Sequence, residues 1–248
     1  DLPTAELERH DLIVPLSLDD ARFLRQQPAH VRERVVALPD AQCTALCHDK
    51  PRLNRFLIDA GFAIHIPPMG DEIPPPFVCK PASGENSDDC LLVPDRATQE
   101  RMSQALAQPG LFRQAAIAGT VEYATHFLMR EGRLVRELTV RYHHDTPLFI
   151  KASATGAAVR TLGRCADPVT LQMMLRAIGY DGLGCANYKF EQGRLQLIEI
   201  NPRLGGSLCD YFFSFLRSMP QTRRTRAAGC TNFTWLDSLA ERESAFGA

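Results

Sequence analysis

Glu199 and Asn201 stand two positions apart in the run Leu197-Ile198-Glu199-Ile200-Asn201-Pro202-Arg203, where apolar residues alternate with polar ones. Residues two apart on a strand project to the same side. A carboxylate and an amide oxygen side by side suit a hard cation such as Mg²⁺. Pro202 ends the strand, and Arg203 presents a permanent planar cation beside the oxygen ligands. A cation ringed by acceptors and flanked by an arginine is what a polyphosphate needs. An ordinary strand ending in a polar turn accounts for the same residues, so the chemistry depends on what the rest of the chain brings to this point.

The elements that would hold these residues are legible around them. The strand Gly184–Phe190, the turn Glu191-Gln192-Gly193-Arg194 and the strand Leu195–Ile200 form a hairpin. Earlier strands are expected at Phe77–Pro81, Cys90–Val93, near Phe112–Ile117, at Val121–Arg130 and at Leu134–Tyr142. Lys80 ends an apolar strand directly before Pro81 and the polar loop Ala82–Asp89, so the strand delivers a lysine to its end. Helices are expected from Ser17, with a serine cap and early acids, to about Gln27; near Val31 to Leu38; from Asp49 to Gly61; from about Ala97 to Ala107; and from Pro168 to Ile178. The segment Asp11–Leu16 reads as a buried parallel strand with nothing before it to pair with. Pro67 to Pro76 is a proline-rich connector. Arg217 to Ala248 shows little periodicity beyond a helix near Trp235–Glu243 and reads as a tail with a solvated basic stretch.

Composition narrows the class. The 248 residues suffice for a sizeable core in one or two domains. With 28 basic and 29 acidic side chains, no global field argues for nucleic acid or a membrane surface. No apolar run approaches the roughly 20 residues that span a bilayer. The acidic, polar opening is not a secretory signal, so a cytoplasmic location is expected. The eight cysteines are scattered without a CxxC pair, and Cys43 and Cys47 lack a second pair to complete a zinc site. Reduced, buried thiols fit that compartment.

Taken in order, several pieces resemble the ATP-grasp superfamily, in its carbamoyl-phosphate-synthetase-like and amino-acid-ligase branches. The carriers are Asp49-Lys50 opening a helix, Val78-Cys79-Lys80-Pro81 before a Gly/Ser loop, Gly119-Thr120-Val121-Glu122-Tyr123, and the Glu199-Ile200-Asn201-Pro202-Arg203 hairpin. The resemblance implies an α+β fold of two lobes enclosing a nucleotide. It divides the chain into an N-terminal α/β remnant (1–45), a small lobe with a phosphate-covering loop (46–112), a large lobe with the Mg·ATP site (113–216) and a C-terminal tail (217–248). Most of an N-terminal domain that contributes to the substrate pocket and to dimer contacts would then be lacking.

The resemblance also implies roles. Lys50 and Lys80 match the basic residues on the ATP phosphates, and Ser83, Gly84 and Ser87 the loop that covers them. Asn86 sits where a second glycine is common. Ala115, Ala116 and Ile117 match the hinge that contacts adenine through its backbone, with alanine at 115 where an acid is usual. Glu122 matches the ribose-contacting glutamate. Glu199 and Asn201 match the ligands of Mg²⁺, or Mn²⁺ in its place, and Asn187 is the candidate third ligand. Arg203 matches the arginine that steadies the transferred phosphate. The implied activity is that of an ATP-dependent carboxylate–amine ligase working through an acyl phosphate and releasing ADP, on an amino acid or small carboxylate. Gly205-Gly206-Ser207 leaves room for such a substrate, and Arg136 and Arg141 are candidates to hold its carboxylate. A degenerate or truncated nucleotide-binding protein and a kinase that stops at phosphoryl transfer are the other readings. His126, His143 and His144 are read as structural or surface residues.

Overall fold

The computed structural model describes residues 3–84, 89–150 and 159–213. Ser87, Asn86 and the tail from Arg217 onward, including the helix expected near Trp235, lie outside these residues. Two antiparallel sheets organise the chain. The smaller has the order β2-β1-β3, with β1 at Phe77–Pro81, β2 at Leu91–Val93 and β3 at Leu111–Ala115. The larger has the order β6-β5-β4-β7-β8, with β4 at Val121–Arg130, β5 at Arg133–His143, β6 at Val159–Gly163, β7 at Gly182–Glu191 and β8 at Arg194–Asn201. The division expected between residues 112 and 113 falls inside β3, which stays in register with β1 as far as Ala115 opposite Phe77.

Local chemistry explains the long hairpins. The β4–β5 turn places Glu131 at φ 49° and Gly132 at φ 72°, and the β7–β8 turn places Gln192 at φ 50° and Gly193 at φ 76°. Two consecutive positive φ values make the tight turn whose twist matches antiparallel strands. The register of β7 on β8 sets Asn187 opposite Glu199 and Cys185 opposite Asn201, with an irregularity after Asn187.

Helices pack around both sheets. These are α1 (Thr4–Leu7), α2 (Leu18–Arg25), α3 (Ala29–Arg32), α4 (Ala41–His48), α5 (Lys50–Leu57), α6 (Arg96–Arg101), α7 (Ser103–Leu106) and α8 (Pro168–Ala177). Helices α4, α5 and α8 lie on the larger sheet, α6 and α7 beside the smaller one, and α1 to α3 in an N-terminal cluster. Ser17 and Asp20 close a reciprocal capping box on α2. Asp49 caps α5 by accepting from Arg52 N, and Asp167 caps α8 by accepting from Thr170 N. After α5 the chain turns away through Gly61 at φ 94°. Apolar side chains of α4, α5 and α8, among them Cys47, Leu53, Leu57 and Leu171, pack on Phe127, Tyr188 and Leu197 of the sheet. The opposite face buries Leu128 and Leu183 against Val36, Leu204 and Leu208.

Two N-terminal expectations are corrected. The helix expected over Val31–Leu38 stops at Arg32, because Val35 and Val36 run extended beside Ile13, with Ile13 N donating to Arg34 O and Val36 N to Ile13 O. Adjacent β-branched valines favour that conformation. Ile13 therefore has a parallel partner downstream, and its neighbours Leu12 and Leu16 are exposed rather than buried. The helix expected over Ala97–Ala107 is two short helices broken at Met102, while α1, α4 and β6 carry no clear pattern in the sequence. Among the described residues, the cysteines are free thiols, and no helix is long and apolar enough to cross a membrane.

Candidate functional site

A cleft of about 830 Å³, open to solvent, runs between the two sheets. Its walls include Lys50, Lys80, Ala115, Ala116, Ile117, Glu122, Asn187 and Glu199. A smaller recess of about 240 Å³ adjoins it and is lined by His48, Gly84, Asn201 and Arg203. Lys50 and Glu199 face both. Ser83 is exposed after β1 and lines neither.

Lys50 is the first residue of α5, and its backbone N–H donates to Ala82 O beyond β1. Its Nζ donates to Gly84 O at 2.9 Å and lies 3.9 Å from Glu199 Oε2. Helix start and loop are thus fastened to each other at the point where two cations face a carboxylate. Lys80, at the end of β1, is buried and crosses to the larger sheet, donating to Ile198 O at 3.2 Å. Burial pushes its ammonium down to about 8; Lys50 adds to that fall and Glu199 opposes it.

Glu199 lies between two amides. Asn187 Nδ2 and Asn201 Nδ2 each donate to Glu199 Oε1 at 2.9 Å. Turning either amide over exchanges its nitrogen for an oxygen without moving the chain, so one carboxylate and two amide oxygens can converge on a single point. That donor set is hard and carries one negative charge, which fits Mg²⁺ held largely by a substrate's own phosphates. Among the described residues there is no cluster of three His, Cys, Asp or Glu side chains that would hold a metal without such help.

At the other end of the cleft, Ala115 N and Ala116 N donate to Pro68 O and Pro76 O. Ile117 O accepts from Lys189 Nζ at 3.2 Å, and Gly119 O accepts from the same nitrogen at 3.3 Å. Glu122 is buried on β4 nearby. Desolvation brings Lys189 down to about 8, with Glu122 opposing. The Phe149 ring covers the ammonium, its centroid 3.5 Å from Nζ, and stacks on His144.

Lys189 has no role in the expectations drawn from sequence, although a signal exists: it lies two residues beyond Asn187 on one strand and so shares its side of the sheet. Gln114, Cys90 and Phe149 also line the cleft without a comparable signal. Arg136 is exposed on β5, and neither it nor Arg141 lines the cleft or the recess. His126 is buried with Nε2 at 2.8 Å from Ser207 Oγ, His143 bonds Thr161, and neither reaches the cleft.

No family model matches the sequence, and no curated relative does. Similarity emerges in three dimensions. D-alanine–D-alanine ligase from Bacillus anthracis aligns over 69% of this chain and 62% of its own, at 16% identity and a TM-score of 0.51. L-amino acid ligase from Bacillus licheniformis aligns over 79% of this chain and 48% of its own, at 17% identity and 0.55. Biotin carboxylase from Campylobacter jejuni aligns over 83% and 51%, at 16% identity and 0.54. The chain therefore spans about half to three-fifths of the length of these enzymes. At such identities the likeness concerns architecture, and the architecture they share with this chain, two α+β lobes on either side of a cleft, is the ATP-grasp fold.

Proposed function

We propose that this chain provides the Mg·ATP site of an ATP-dependent carboxylate–amine ligase acting on an amino acid or small carboxylate. The observation that carries the reading is the convergence of Lys50, Lys80, Glu199, Asn187 and Asn201 at one end of a cleft whose other end offers a hinge and Glu122. L-amino acid ligase and D-alanine–D-alanine ligase share the fold, which favours an amino-acid substrate.

Lys50 and Lys80 are assigned to the phosphates, where point charges can follow a moving anion. Gly84 and the loop after it are assigned to covering them. Glu122 would accept from the ribose hydroxyls, and Ala115 to Ile117 would flank the base. Glu199, Asn201 and Asn187 would hold Mg²⁺ (or Mn²⁺), which when bound supplies neutralisation of phosphate charge. Arg203 faces the adjoining recess, where it would stabilise charge on the phosphoryl group as the carboxylate oxygen attacks. The amine then displaces phosphate from the acyl phosphate. Catalysis on this account is positioning and charge neutralisation, with no protein nucleophile. We take the sheet β2-β1-β3 and the sheet β6-β5-β4-β7-β8 as the cores of the two lobes, which moves the division expected at 112–113 to the segment between Ala115 and Val121, and a cytoplasmic location as the setting that supplies ATP and keeps the thiols reduced.

Thermal unfolding with and without Mg·ATP tests the site. Saturation at about 100 times the dissociation constant stabilises by about 2.7 kcal/mol. The wild-type transition is expected to rise and that of Glu199→Ala to stay put. ADP release that requires both a carboxylate and an amine identifies a ligase. Release with the carboxylate alone identifies a kinase, and binding without turnover a degenerate nucleotide-binding protein. Absence of any nucleotide-dependent shift in cooperatively folded protein defeats the proposal.

A further inference from the structure

Lys189 occupies the position from which a nucleotide base would be read. A backbone carbonyl at the hinge can identify adenine by accepting from its 6-amino group. Here Ile117 O, on the cleft wall, and Gly119 O just beyond it both accept from the Lys189 ammonium, and the flanking amides of Ala115 and Ala116 donate to Pro68 O and Pro76 O. The ammonium has three N–H groups and no acceptor. Two are directed at carbonyls, and the third side faces the Phe149 ring.

We propose that Lys189 makes the cleft accept purine nucleoside triphosphates bearing a 6-oxo group at least as well as ATP. The inference rests on the reading of this cleft as a nucleoside-triphosphate site and defines which bases that site admits. A π-face is the weakest of the three partners of Lys189. A 6-oxo or N7 oxygen-and-nitrogen edge can replace the ring and accept from the ammonium, the pairing by which lysine recognises guanine in other settings. Adenine presents a donor at its 6-position. That amino group meets an ammonium, donor against donor, unless Lys189 first releases Ile117 O. Release costs a charge-assisted hydrogen bond in a buried place, because Lys189 is only 3% exposed. Selection against a base by an unfavourable juxtaposition is as effective as selection for another.

Inosine triphosphate lacks guanine's 2-amino group and differs from ATP in the 6-oxo group and the N1–H that accompanies it, and the comparison with a Lys189 variant separates the 6-position from N1. Dissociation constants of Mg²⁺ complexes of ATP, ITP and GTP are measured by calorimetry on the wild-type chain and on Lys189→Met, which retains an apolar stem without a donor. Wild-type protein is expected to bind ITP at least as tightly as ATP, and Lys189→Met to shift the ratio about tenfold towards ATP by freeing the hinge carbonyl, the factor that one hydrogen bond supplies. ATP preferred over ITP by about threefold or more in wild type overturns the inference, as does an unchanged ratio in folded Lys189→Met. If the variant does not fold, the wild-type comparison decides alone. Failure of all three nucleotides to bind the wild-type chain instead defeats the nucleotide site itself and this inference with it.

Discussion

Lys80 shows how a single residue can couple the site to pH. Its folded-state value lies at about 8, below the ordinary 10.5, because its ammonium is buried, and the nearby Glu199 only partly compensates. Between those limits the unfolded chain holds a proton that the folded chain does not, so this residue's contribution to stability rises with pH across the window and burial of the charge costs stability below it. Nucleotide binding has the opposite dependence, since phosphates need the cation. We expect the affinity for Mg·ATP to fall between about pH 7 and pH 10 as Lys80 loses its charge, while the thermal stability contributed by Lys80 rises; Lys189, also brought down to about 8 by burial, adds to the rise in stability. Calorimetry and thermal unfolding across that range check both directions. An affinity independent of pH would mean that Lys80 does not touch the phosphates.

At the scale of elements, the site depends on junctions as much as on strands. Gly182 opens β7 at φ 117°, and a Cβ there would stand 2.7 Å from the Leu38 carbonyl carbon and 2.8 Å from Ala37 O. The close approach lets Leu183 N donate to Ala37 O and seats the N-terminal segment against the sheet. Gly182→Ala meets both backbone strain and a clash with main chain, and is expected to cost about 2 kcal/mol or more. Chemical denaturation measures it. A loss below about 0.5 kcal/mol would mean that the segment shifts freely. The capped start of α5 has a comparable role for chemistry, since Asp49 sets the helix and Lys50 is its first residue.

For the molecule as a whole, the cleft lies between the two sheets, and two lysine side chains link its walls. Lys80 reaches from β1 to Ile198 O, and Lys189 from β7 to Ile117 O. Helix α5 is anchored by Leu53, which is fully buried in the main core. Leu53→Ala leaves a cavity there and is expected to cost about 2–5 kcal/mol, with weakened nucleotide binding because Lys50 shares the helix. Unfolding monitored with and without Mg·ATP separates the two effects. Unaltered stability would show that α5 is held by other contacts.

The hairpin of β7 and β8 was legible in the chain because alternation and turn chemistry are local, and Lys80 because an apolar strand ends on it. Capping signals announced α2 and α5 for the same reason. Pairings between distant segments carry no local mark. The extended Val35–Val36 beside Ile13, the exposed strand β6 and the break at Met102 emerge only when partners are in place. Likewise, a residue's spacing could put Lys189 on the side of Asn187, but which carbonyls it bonds depends on a connecting segment seventy or more residues earlier in the chain. Residue type and spacing determined the chemistry available, and the packing of one sheet against the other decided which of those groups meet, because contact between remote segments is set by the core they jointly bury.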